Sequence, residues 1–159
     1  MATWATLGRV NSLRFAGALG VASLLALLPS TSGAISGAAQ AASVLDGVYT
    51  TEQAERGQSL YRRHCTYCHH DDLLGGEDLK VVPPALVGLA FSDRWVGKPI
   101  AELFQVLSTT MPWERTKLAP AAYADVISYL LKENGYPAGR QELPADLARL
   151  GAIRIVATR

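Results

Sequence analysis

Residues 42–159 of this chain predict an all-α domain of helices and loops. Three observations carry that expectation. Apolar residues recur at helical spacing in three stretches, no convincing apolar–polar alternation occurs outside a short tail, and Gly- and Pro-rich segments separate the helical stretches. Residues 1–41 differ in composition and read as a separate leading segment.

That leading segment has the layout of an export signal. Arg9 and Arg14 are its only charges, and no acidic residue precedes Asp46. Phe15 to Leu28 is apolar and rich in Leu and Ala, and Pro29 breaks it. A small-residue stretch then reaches Ala39-Gln40-Ala41, an A-x-A cleavage pattern. The apolar run is shorter than the roughly 20 residues that cross a bilayer, so an uncleaved anchor is the lesser alternative. No cysteine lies near the cleavage region to carry a lipid. The expected mature chain begins at Ala42, carries no transmembrane span and is long enough for one domain. Two of the 15 Lys and Arg residues leave with the signal, so 13 face 14 acidic residues and the formal charge becomes −1. A near-neutral surface gives no basis for nucleic acid or an anionic membrane as partner.

Thr50 can cap the first helix, and Gln53 three residues on completes a capping-box pattern. Ala54, Gly57, Leu60 and Tyr61 follow at helical spacing, and the helix runs directly into Cys65. Leu73 to Gly88 is a Gly- and Pro-rich loop. Pro99 suits the first position of a second helix, whose apolar face is Ile100, Leu103, Phe104 and Leu107. A second loop runs from Thr109 to Pro120. The third helix follows with Tyr123, Val126, Ile127, Leu130 and Leu131 on one side, and Gly135 and Pro137 end it. Loops this long in a small domain usually have something to wrap.

Cys65-Thr66-Tyr67-Cys68-His69 says what that is. C-x-x-C-H is the attachment signature of c-type haem: one turn presents two sulfurs to the two vinyl groups, and the next imidazole lies under the iron. Both cysteines of the chain are used by it. A thioredoxin-type dithiol wants a strand–helix context that is missing here. A structural zinc site wants two separated pairs, whereas His64, Cys65, Cys68, His69 and His70 crowd one segment. A plain disulfide stays open in an exported chain. Covalent haem would add a large apolar surface to an otherwise modest core.

Met111 is the only methionine of the mature chain and lies in a Met-Pro loop between the second and third helices. A thioether there suits the second axial position and would raise the reduction potential. Without the upstream motif it would read as a core filler. His64 and His70 are tied to the proximal side, since one residue spans at most about 3.6 Å. Lys80 is a weak competitor because its amine must first lose a proton.

Taken together, these features resemble a class I c-type cytochrome. Helix, attachment site, proline-rich loop, Met-Pro loop and C-terminal helix follow in that order over nearly all of the mature chain. Pro84-Ala85-Leu86-Val87-Gly88 resembles the family's P-x-L-x-G segment. The resemblance implies a small cytochrome c fold wrapped around one haem c, with Cys65 and Cys68 as anchors and His69 and Met111 as iron ligands. It further implies that the Pro84 carbonyl accepts the His69 Nδ1 hydrogen bond, and that Trp95 packs near the propionates. Gly57 and Tyr61 resemble the face that crosses the C-terminal helix, with Tyr129 or Leu130 as partner. Two departures stand out: His70 and Asp71-Asp72 after the attachment histidine, and Ala119 where a capping residue is common.

From Gly47-Val48-Tyr49 to Ile153-Arg154-Ile155 the chain is also similar to cytochromes that accompany periplasmic quinoprotein alcohol dehydrogenases. The implied function is a periplasmic carrier of single electrons, not an enzyme, that accepts from such a dehydrogenase and passes to a downstream acceptor. Pro112, Trp113 and Arg115 are the expected docking rim. Two other readings stay open. One is a haem enzyme or small-ligand sensor with an exchangeable axial site. The other is a fixed dehydrogenase subunit, for which exposed apolar residues such as Trp113 would speak.

Overall fold

A computed structural model describes residues 43–76, 82–113 and 116–158, and in it two long helices meet through a glycine. Helix α1 spans Thr51–His64 and α5 spans Pro120–Glu133. A Cβ on Gly57 would run into the Asp125 backbone carbonyl and press on Tyr129. Only hydrogen lets the two backbones approach this closely. One turn on, the Tyr61 and Tyr129 rings pack at 5.3 Å between centroids and 50° between planes. Tyr129, rather than Leu130, is thus the ring that meets Tyr61. Arg56 bonds Asp125 at 3.1 Å and Glu142 at 2.8 Å on the exposed edge of the crossing.

Thr50 caps α1 as expected, its hydroxyl accepting the Gln53 N–H at 3.1 Å. The second half of the expected capping box is absent. Gln53 is buried and turns instead to Leu143, donating to its carbonyl at 3.0 Å and accepting its N–H at 2.7 Å. A distant backbone segment offered two bonds where the helix end offered one. The reciprocal box is formed at Ser43 and Asp46, around the short 3-10 helix Val44–Asp46.

Past Cys65 comes the single turn α2, Thr66–His69. Helix α3, Gly88–Trp95, was not anticipated from the sequence. It has no local side-chain cap; the Asn134 side chain at the end of α5 accepts the Gly88 N–H at 3.1 Å. Helix α4, Ile100–Thr110, begins one residue later than expected, with Pro99 as its cap. Pro120 does open α5. A sixth helix, α6 at Leu147–Gly151, is capped by Asp146, which accepts the Arg149 N–H at 2.8 Å.

The core is built from α4 and α5, with Ile100, Leu103, Ile127, Leu130 and Leu131 buried against Leu150, Ile153 and Ile155 of the tail. The tail's alternation has a simple cause: Ile153 and Ile155 point inward while Arg154 is exposed. Arg154 forms isolated bridges with Ser43 and Pro99, and no longer strand is formed among the described residues. Val44 N–H bonds the Arg154 carbonyl at 2.9 Å, Gly139 N–H bonds the Tyr49 carbonyl at 2.7 Å, and Tyr49 donates its hydroxyl to the Tyr136 carbonyl at 2.6 Å. The two ends of the domain are therefore joined in one collar of hydrogen bonds. No helix among the described residues is long and apolar enough to cross a membrane. The leading segment 1–41, Lys80 and Arg115 lie outside the described residues.

Candidate functional site

Helix α1 ends at His64, and Cys65 breaks the helical path at φ −121°. The chain then turns at once, with the Cys68 and His69 N–H groups bonding the Cys65 carbonyl at 3.1 and 2.9 Å. That turn sets the two thiols and the imidazole on one short rigid unit. Both thiols are half-buried and free, with no disulfide between them. Burial, reinforced by the neighbouring Cys68, pushes the Cys65 thiol up to about 11. The five His and Cys residues of this segment do not converge; no group of three His, Cys, Asp or Glu that could hold a metal ion occurs among the described residues.

His69 is buried, and its Nδ1 lies 3.2 Å from the Pro84 carbonyl oxygen. A carbonyl can only accept, so Nδ1 carries a proton, and in the neutral ring Nε2 then presents the lone pair. Burial lowers the pKa from its ordinary 6.5, against a smaller upward pull from the Pro84 carbonyl. The tautomer and charge state are those of a metal ligand.

Four further contacts hold this ring in place, and none was legible as a site feature in the sequence. Tyr61 donates its hydroxyl to the His69 and His70 carbonyls at 3.2 and 2.7 Å, tying the attachment turn to the α1–α5 crossing. The Pro84 loop is joined to the chain after His69 by Leu86 N–H bonding the Leu73 carbonyl at 2.7 Å. Gly75, at φ +81°, lies so close to the Pro83 carbonyl that a Cβ would collide with it. Asn134 then binds the far end of the loop, donating to the Leu86 carbonyl at 2.9 Å while accepting from Gly88. Sequence reasoning could have flagged Asn134 only as a helix C-cap.

Met111 caps the C-terminus of α4 and is half-buried, on a different segment from the attachment turn. Its carbonyl accepts the Tyr123 hydroxyl at 2.7 Å. The expected docking rim needs a correction. Pro112 is buried, its carbonyl bonded by Lys117 at 3.1 Å, and so offers nothing to a partner. Trp113 is 65 % exposed. His64 and His70 are half-buried beside the attachment turn. Trp95 is buried at the end of α3, its ring within 5.2 Å of the Arg94 guanidinium and 5.4 Å of the Lys98 ammonium.

The residues present fit a haem. Two unpaired thiols share one turn, a buried imidazole has its Nε2 free of any described residue, and a thioether stands on a separate segment. Leu86 in the Pro84 loop, and Val106, Leu107 and Leu118 on the segments that flank Met111, are only partly buried against the core and leave apolar surface to cover. Helices, donor chemistry and apolar lining together define an all-α haem c domain, with Cys65 and Cys68 in the C-x-x-C-H pattern of covalent attachment. Residues 52–130, from α1 through most of α5, match the family model described as cytochrome C oxidase, cbb3-type, subunit III. That match, over just under half of the chain, supports a c-type cytochrome domain and with it an electron-transfer haem protein. No curated protein and no solved structure matches it.

Proposed function

We propose that the protein is an exported monohaem cytochrome that carries single electrons from a periplasmic dehydrogenase, of the quinoprotein class, to a downstream acceptor. The observation that carries this reading is the His69–Pro84 contact, which fixes the imidazole tautomer one residue after a pair of free thiols. Haem c supplies the one-electron couple. The chain's own residues do the rest. Cys65 and Cys68 would anchor the porphyrin, His69 Nε2 and Met111 Sδ would hold the iron, and Pro84 orients His69. Trp95 has Arg94 and Lys98 on its ring, two cations that would offset the carboxylate charge if this face met the propionates. With His69 and Met111 both engaged, the iron would have no open position for a substrate. Exposed Leu74, Val82, Leu89 and Trp113, on or beside the loops of the site, suit a small apolar docking patch, and they suit a fixed dehydrogenase subunit equally well.

Optical spectra of the purified, matured protein test this reading. A low-spin ferric spectrum with a weak far-red sulfur-to-iron band, lost in Met111→Ala, is expected. Rapid stoichiometric carbon monoxide binding by the reduced wild type, without that band, would instead make it a haem enzyme or sensor. Intact-mass analysis should find a chain starting near Ala42, with haem retained through denaturing electrophoresis. A purified quinoprotein alcohol dehydrogenase turning over its alcohol should reduce the protein, and no reduction would remove that partner class.

A further inference from the structure

We infer that Tyr123 is a positioning residue that closes the methionine loop with a single buried hydroxyl and so holds the loop shut. This rests on Met111 being the distal ligand. Tyr123 lies on the buried face of α5 and is only 3 % exposed. Its ring packs edge-on against Phe104 of α4, at 6.2 Å and 73°, which fixes where the hydroxyl points. That hydroxyl does two things at once. It donates to the Met111 carbonyl at 2.7 Å, and it accepts the Leu118 N–H at 3.0 Å. Met111 begins the connection between α4 and α5 and Leu118 stands near its end. One oxygen atom therefore staples both ends of the segment that carries the thioether.

Other anchors of this loop are local. Met111 N–H continues the α4 ladder to the Leu107 carbonyl at 3.0 Å, and Lys117 reaches Pro112 from an exposed position. The bond from α5 is the one that refers Met111 to the rigid helix pair. A buried hydrogen bond that is lost without replacement leaves its former partner unsatisfied. Removing the hydroxyl frees two backbone groups, on either side of the ligand loop, while the ring stays in place. The loop should then open more often, and an outside ligand should find the iron more easily.

The test uses the purified holoprotein, with imidazole as probe. Tyr123→Phe is compared with wild type, with Met111→Ala, and with Tyr136→Phe. The last removes a similar partly buried hydroxyl, the one that donates to the Val156 carbonyl at 2.8 Å. In Tyr123→Phe the far-red band should persist, and imidazole should bind the ferric protein about tenfold faster than in wild type. Tyr136→Phe should lower thermal stability comparably and leave imidazole binding within twofold of wild type. Unchanged imidazole kinetics in Tyr123→Phe, with lower thermal stability, would reduce Tyr123 to a packing residue. Equal acceleration in Tyr136→Phe would assign the effect to global stability and overturn the proposal. A wild type without a far-red band, unaffected by Met111→Ala, marks the separate failure of the ligand assignment, and the inference falls with it.

Discussion

The collar end of the molecule and the attachment end are held by opposite strategies. At the collar, Gln53 and Tyr49 send side chains across the fold to backbone groups of the C-terminal part, Tyr136 reaches on to the Val156 carbonyl, and the apolar residues Val44, Leu150, Ile153 and Ile155 are buried. At the attachment end both thiols are free, Nε2 of His69 has no bond to a described residue, and Leu86, Val106, Leu107 and Leu118 are only half-covered. One end is complete as protein. The other is shaped by protein and completed by its cofactor. Tyr61, Asn134 and Tyr123 link the two, each reaching from the α1–α5 pair into a different loop. Damage at the collar should therefore cost stability, while damage at the links should change the iron.

The sharpest break of that division is Gly57→Ala. Its Cβ meets Asp125 backbone, which cannot move as a side chain could, and the loss should be about 3 kcal/mol. Denaturant unfolding measures it. Because Tyr61 shares this crossing, Gly57→Ala is also the collar-side change expected to disturb the haem spectrum.

Gln53→Ala comes next. It strips two bonds from the Leu143 backbone, leaves buried groups unpaired, and should cost about 2–3 kcal/mol. Limited proteolysis should show earlier cutting after α5, with an unchanged far-red band. A lost band would mean that the two ends are not separable.

Tyr49 and Tyr136 sharpen the comparison through pH. Burial raises the pKa of both phenols above the ordinary 10.0 in the folded state. The unfolded chain ionises first, so this stabilisation is full below about pH 10 and is lost as pH climbs through the raised folded values. Unfolding midpoints should fall on the alkaline side, and Tyr49→Phe should flatten that limb.

The smallest effect belongs to Arg56→Ala. Arg56 and Glu142 are exposed and only Asp125 is partly buried, so the change should cost about 1 kcal/mol or less, diminishing in high salt. Salt-dependent thermal melts of the variant and wild type measure it.

Local signals wrote much of this protein into its sequence. Thr50, Pro120 and Gly135 mark helix ends because capping and proline geometry act within a few residues. The C-x-x-C-H turn was legible for the same reason, since its chemistry sits inside one turn of chain. The all-α class followed from apolar periodicity, and the pattern of the tail was visible although its role was not. What the sequence could not disclose was every decision taken across distance. Helix α3 is capped by Asn134, 46 positions away. Gln53 deserts its local capping partner for Leu143, 90 positions on. Pro112 is buried rather than on the rim, and Tyr123 faces the methionine loop because Phe104 sets its ring. A hydrogen-bonding side chain advertises that it needs a partner, but only the packed fold determines which partner comes within 3 Å.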